Sequence, residues 1–333
     1  MTKILPVKYP RITCHQSFGS LLSILECIDD TEEWIYTNFI IMEAFSYIGG
    51  YAKGSVELVI NPAYDFSTCC PWFWKSELSS DTINAFDSDI IEFIIKCIDT
   101  DNYVLLFVDE SKFSCVNSKE PLFHDIFIYG YSREKKVFYT ADLTFKYGRY
   151  EYVMIKFSEM SEAYSSAIRA GKNLNLEGAV KLWHIKDGAS FNLDTSLIKD
   201  ELLEYLNGYS YSNRYTRVYW QAPLNYAGIN VYKFLKDNLD TFGMLKCLHN
   251  LYDHKKLMLE RVNYLRAKGY ISADDELCNE FDLLVKESQR ASNLYVKYTI
   301  TDNNSILERI SDILTKIEYK EKLIYVQLIE ELS

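Results

Sequence analysis

A thiol, an imidazole and a carboxylate become catalytic machinery when they meet. The imidazole takes the thiol proton, and the carboxylate fixes the imidazole tautomer and stabilises its charged form. The chain carries eight cysteines, at positions 14, 27, 69, 70, 97, 115, 247 and 278, and five histidines, at 15, 124, 184, 249 and 254. One combination follows from chain geometry. His124 opens the strand-like run Phe123 to Tyr131, a polar turn occupies 132–136, and Val137 to Asp142 reads as the returning strand. An antiparallel hairpin brings its outer ends together, so His124 and Asp142 are expected to touch. Cys14 precedes apolar residues at 18, 21, 22 and 25, a helical period. With Thr13 as N-cap, Cys14 would sit in the first turn, where the helix dipole favours a thiolate. The expected triad is therefore Cys14, His124 and Asp142. Asn102 and Asp125 are weaker substitutes for the carboxylate, and strand alternation turns Asp125 away from His124.

Other residues are candidates for supporting roles. An oxyanion needs two donors: the Cys14 amide is one, and Gln16, His15 and Tyr9 are candidates for the second. The aromatic run Pro71-Trp72-Phe73-Trp74 follows Cys69-Cys70, and Tyr209 to Tyr215 mixes Tyr, Ser and Arg in a loop-like composition. Trp72, Trp74, Tyr211 and Arg214 are thus candidates for lining a substrate cleft, against the plainer readings of a packed loop and a solvated linker. The segment 246–268 is locally basic, and Lys255, Lys256 and Arg261 are candidates for docking an acidic partner; a solvated helix face is the alternative. No metal or cofactor is expected. The cysteines form no CxxC pair, and His249 and His254 lie five apart, about 140° around a helix. No GxxxxGK[ST] loop is present.

The elements that must position these residues read as two regions. Residues 1–160 mix helix and strand patterns, and 161–333 are mainly helical, with a strand at 180–185 and the potential to cover the catalytic cleft. In the first region, helices are expected after Thr13, over 34–45 and over 81–99, with Gly49-Gly50 as a break. Strands are expected at 56–61, 103–108, 123–131, 137–142 and 151–157. In the second, helices are expected at 196–206, 230–238, 244–267, 274–298 and 305–332. The last has an apolar seam of Ile306, Ile310, Ile313, Ile317, Ile324 and Leu328, with a gap near 320. The net charge of −11 opposes binding to nucleic-acid phosphate. The N-terminus shows no signal-peptide pattern and no run of about 18 apolar residues occurs, so a soluble, cytoplasmic protein with reduced thiols is expected.

The order Cys on an early helix, His at a strand start and Asp at the end of the next strand resembles papain-like peptidases. The local text is closer to the N-terminal domain of the butirosin-biosynthesis acyltransferase family. The resemblance lies in Cys14 followed by Ser20-Leu21-Leu22, in Gly49-Gly50, and in His124-Asp125-Ile126-Phe127-Ile128-Tyr129-Gly130-Tyr131 followed by Ala141-Asp142. It covers roughly the first half of the chain and extends to an amide-forming cysteine-protease homologue of polythioamide (closthioamide) assembly. The resemblance implies an α+β, papain-like fold, a helix packed on a mostly antiparallel sheet, followed by a C-terminal helical domain. It also implies transfer of an acyl group from a phosphopantetheine thioester on a peptidyl or acyl carrier protein to a small amine. No nucleic acid, membrane or cofactor takes part. A peptidase, amidase or thioester hydrolase with the same triad, and a binding protein that lost the chemistry, are the alternatives. One departure stands out: papain-like peptidases place a Gln a few residues before the Cys, whereas positions 6–13 hold none and Gln16 follows instead.

Overall fold

The computed structural model describes residues 1–13, 15–47, 54–60, 70–86, 89–143, 150–174, 180–209, 226–272 and 275–332. Cys14, Gly49-Gly50, Cys69, Tyr211 and Arg214 lie outside the described residues. In chain order the strands are β1 (Thr2–Ile4), β2 (Met42–Ser46), β3 (Val56–Ile60), β4 (Phe73–Leu78), β5 (Asn102–Asp109), β6 (Phe123–Ser132), β7 (Val137–Asp142), β8 (Glu151–Lys156), β9 (Val180–Ile185) and β10 (Tyr226–Ala227). The helices are α1 (Gln16–Leu25), α2 (Glu32–Thr37), α3 (Ser80–Phe86), α4 (Ile90–Asp99), α5 (Phe157–Leu174), α6 (Thr195–Leu206), α7 (Val231–Asp237), α8 (Met244–Ala267), α9 (Asp275–Thr301) and α10 (Ser305–Glu331). The fold class is α+β with antiparallel sheets and a helical C-terminal region. Among the described residues no helix is long and apolar enough to cross a membrane.

The chain divides into two units along different lines from the expected boundary at 160. The first comprises Met1–Thr31 and Asp65–Phe191, and the second Glu32–Tyr64 and Asn192–Ser333. Strand β9, expected in the C-terminal domain, belongs to the first unit because it pairs with β5, and helix α5, for which no element was expected, packs on β5 as well.

In the first unit, a seven-stranded antiparallel sheet runs β4-β9-β5-β6-β7-β8, with β1 paired to the end of β6. The apolar run Tyr103 to Leu106 is buried throughout, as expected for a strand covered on both faces. Helices α4 and α5 pack on β5, and α1 contacts β6. The single helix expected over 81–99 is two, α3 and α4. Asp89 ends the interruption by capping α4, accepting the Ile91 amide at 2.9 Å. Helix α1 begins at Gln16 with an extended His15 as its N-cap, so Thr13 is not the cap.

The second unit has a three-stranded antiparallel sheet, β10-β2-β3, and helices α2 and α6 to α10. The helix expected over 34–45 ends at Thr37. Met42 to Ser46 instead form β2, which pairs with β3 from Met42–Ile60 to Ser46–Val56. A continuous apolar stretch serves either state, and here the pairing partner decides. The α10 seam is buried at all six positions, and its gap is occupied by Glu321, fully buried. Helix α8 explains that residue: Lys255 Nζ pairs with Glu321 Oε1 and lies 3.0 Å from His254 Nδ1. Tyr205 and Tyr232 donate to the other Glu321 oxygen at 3.0 and 2.6 Å, and His254 Nε2 reaches the Ile40 carbonyl at 2.8 Å. Burial and the adjacent Lys255 hold His254 well below the usual imidazole range, so it is neutral and donates from Nε2.

Candidate active site

The site begins where β5 ends. Asp109 is fully buried and accepts four hydrogen bonds: from the Ser111 amide and hydroxyl at 3.2 and 2.6 Å, the Leu122 amide at 3.0 Å and the Ser166 hydroxyl at 2.7 Å. Those donors hold its carboxyl below the usual range against the opposing effect of burial. Asp109 caps a short 3-10 turn, Glu110–Lys112, whose first residue is Glu110. The Glu110 amide donates to the Leu122 carbonyl at 2.7 Å, and its own carbonyl accepts the Phe113 amide at 3.0 Å. The backbone of Glu110 is thus pinned between the end of β5 and the start of β6.

His124 sits on β6 opposite Val108, and Asp142 ends β7 opposite Glu151 of β8. The hairpin expectation therefore holds at the level of distance: His124 Nδ1 is 3.6 Å from Asp142 Oδ1. The same nitrogen is 3.8 Å from Glu110 Oε1 and 3.1 Å from the Asp125 carbonyl. Both carboxylates are fully buried, whereas the His124 side chain keeps 30 % of its exposure. With the Nδ1 edge turned toward the acids, Nε2 is the edge placed to exchange a proton with a ligand.

Burial alone would raise the Asp142 carboxyl. The nearby Glu110 side chain, the His124 imidazole and the Leu143 amide more than offset it, and Asp142 lies below the usual carboxylate range. Glu110, His124 and Asp142 each bring one potential ligand atom within 4.8 Å of the others. Two buried carboxyls this close favour holding one proton between them over carrying two charges. Sequence reading missed Glu110. Its signal was an acidic pair, Asp109-Glu110, directly after an apolar strand, where a solvated turn is the ordinary expectation.

Helix α1 is tied to the same place. Gln16, 4 % exposed, donates from Nε2 to the Ala141 carbonyl at 2.8 Å, one residue before Asp142. That bond engages one of the two Gln16 amide hydrogens and anchors the start of the helix to the strand end. His15 stacks on Phe18 with ring centroids 4.4 Å apart. Tyr9 is 60 % exposed and meets the edge of Tyr150 at 6.1 Å. Tyr150 itself is buried against α1 at Gly19, where a Cβ would lie 2.7 Å from its ring.

The remaining candidates fall elsewhere. Trp74 pairs with His184 of β9, which pairs with Asn102 of β5, six residues from the Val108–His124 pair and about 20 Å along the strand. Trp72 is buried just before β4. Neither lines the His124 site, and Asn102 cannot replace Asp142. Lys255 and Arg261 are fully buried and therefore cannot form a docking face. Lys255 is held by Glu321, and Arg261 donates to the Tyr36 carbonyl at 2.7 Å and the Asn38 carbonyl at 2.5 Å. Lys256 is half-buried, 5.8 Å from the Tyr252 ring. Cys115 is exposed, but desolvation and the carboxylates of Glu159 and Asp142 push its thiol up, opposite to what a nucleophile requires. No protein-family model and no curated protein sequence matches the chain.

Proposed function

We propose that the chain is a cysteine-dependent acyltransferase of papain-like type, in which Cys14 is the nucleophile, His124 the general base and Asp142 the orienting carboxylate. The observation that carries the reading is the buried Asp142 carboxylate 3.6 Å from Nδ1 of a partly exposed imidazole. A His held this way is a general base awaiting a proton donor. Gln16 adds a second line of support: it ties the start of α1 to the strand end bearing Asp142, and Cys14 precedes it by two residues.

The reaction runs in two steps. His124 Nε2 takes the Cys14 proton, the sulfur attacks the carbonyl carbon of a thioester, and the bond from that carbon to the donor sulfur breaks. The departing thiolate takes the proton back from the imidazolium, leaving an acyl-enzyme. An amine then attacks the acyl carbon, its proton passes to His124, and the amide leaves as the Cys14 thiolate is released and reprotonated. Thioester to amide is downhill, so no nucleotide is consumed. The donor class is an acyl or peptidyl group on a phosphopantetheine carrier, and the acceptor is a small amine.

Intact-mass spectrometry after incubation with an acyl pantetheine thioester tests the reading. The wild type is expected to gain one acyl mass, Cys14→Ala none, and an added amine to remove the mass as amide. An unmodified wild type, or an adduct that persists in Cys14→Ala, refutes it. Release of free acid in the presence of amine makes the protein a hydrolase instead.

A further inference from the structure

We propose that Glu110 is a positioning residue that shares one proton with Asp142 and fixes its carboxylate against the imidazole, without acting as a second counter-charge to His124. The inference rests on the reading of His124 as general base and adds a fourth member to that site.

The geometry is over-determined. Glu110 is fully buried, its backbone is pinned on both sides by the bonds to Leu122 and Phe113, and one of its carboxyl oxygens lies within 4.8 Å of one of Asp142's. Two carboxylates in contact inside a protein cannot both be charged at modest cost; one proton between them turns repulsion into a hydrogen bond. Asp142 has what an anion needs: the Leu143 amide donates to its carboxyl, and the imidazole nitrogen lies 3.6 Å from the same oxygen. The shared proton therefore resides on the Glu110 side, and the pair presents one negative charge to a ring 3.6 and 3.8 Å from its two members.

Among the described residues, the other titratable groups around the pair do not supply a competing charge of comparable closeness. Tyr150, before β8, is held neutral by burial, and Cys115 is likewise raised. Asp109 is satisfied by its four donors, with Lys112 Nζ 3.9 Å from its carboxyl, and Glu159 on α5 pairs with Lys156 at 3.3 Å.

The test is an NMR titration of the His124 ring in full-length protein labelled with 15N-histidine, assigned with a His124 variant. Glu110→Gln replaces a protonated carboxyl by a near-isosteric neutral donor. It is expected to leave the His124 midpoint within about 0.3 pH of wild type, whereas Asp142→Asn lowers it by about one pH unit or more. A Glu110→Gln midpoint falling as far as that of Asp142→Asn overturns the proposal, because Glu110 would then be a counter-charge. Acyl-enzyme formation gives the second readout. Glu110→Ala should lose about 10-fold or more through a misplaced Asp142, and Glu110→Gln should recover most of that loss. A Glu110→Ala rate equal to wild type also overturns it. If the wild type forms no acyl-enzyme, the acyltransferase reading falls while the titration still decides the role of Glu110.

Discussion

Replacing Glu321 by Ala is expected to be the most damaging single substitution in the second unit. The carboxylate is fully buried, pairs with a fully buried Lys255, and accepts from Tyr205 at 3.0 Å and Tyr232 at 2.6 Å. Removing one member of a buried ion pair costs about 3–5 kcal/mol, because the other charge is left without compensation. Each orphaned tyrosine hydroxyl adds about 1–3 kcal/mol if nothing replaces the acceptor. These contributions overlap: water can enter the space left, and burial already lowers the Lys255 ammonium toward its neutral form. A net loss of about 4–6 kcal/mol is therefore expected, a large part of the 5–15 kcal/mol typical of a folded domain. The double variant Lys255→Met, Glu321→Leu should cost far less than the sum of its parts, since neither charge remains. Urea denaturation followed by circular dichroism, with amide exchange of α10 to localise the effect, measures both. A Glu321→Ala loss below about 1 kcal/mol, or a double variant as unstable as the summed single variants, would refute the argument that this network is a buried, interdependent pair.

Glu201 makes the second unit sensitive to pH. It is 4 % exposed, and burial and the nearby Glu204 push its carboxyl up to about 8 against the opposing pull of Arg261. A folded value above the unfolded one means that its stabilising effect is full below about pH 4.5 and declines as pH rises to about 8. Glu201→Gln should flatten that decline, by up to about 1.4 kcal/mol per pH unit, in thermal melts taken across the window; parallel profiles for the two proteins would count against it. Gly243 precedes α8 at φ +98°, and a Cβ there would lie 2.3 Å from the Val56 carbonyl oxygen. Gly243→Ala is expected to cost about 2–4 kcal/mol, from both the left-handed backbone and the collision, read as a lowered urea midpoint.

The parts of the site that could be read from sequence were those set by local chain geometry. A hairpin with strands at 123–132 and 137–142 forces its outer ends together, so the approach of His124 to Asp142 needed no long-range information. Glu110 needed such information: the same two letters, Asp-Glu, would suit a solvated turn, and only the return of β6 alongside β5 encloses them. The basic stretch of α8 failed for a related reason. Lys255 falls between Leu251 and Met258 on the inward stripe, a spacing visible in the sequence, but the charge suggested solvent. The missing apolar residue in the α10 seam and the misplaced lysine in α8 were two halves of one pair, each an anomaly until the other was beside it. Residues 34–46 were ambiguous because an apolar stretch of that length suits helix or strand until its partner β3 is known.

The second unit takes its first segment, Glu32–Tyr64, from ahead of most of the first unit and the rest from Asn192 onward. Ile40, Ile41, Met42, Ala44, Val56 and Leu58 belong to one apolar cluster with residues of α6 to α10. On the ribosome that hairpin emerges long before the helices that will cover it. At typical elongation rates it waits on the order of ten seconds with its greasy side uncovered, inviting chaperones or aggregation. A truncation at Phe191 would make the delay permanent, so a fragment meant to hold the first unit alone must also leave out 32–64.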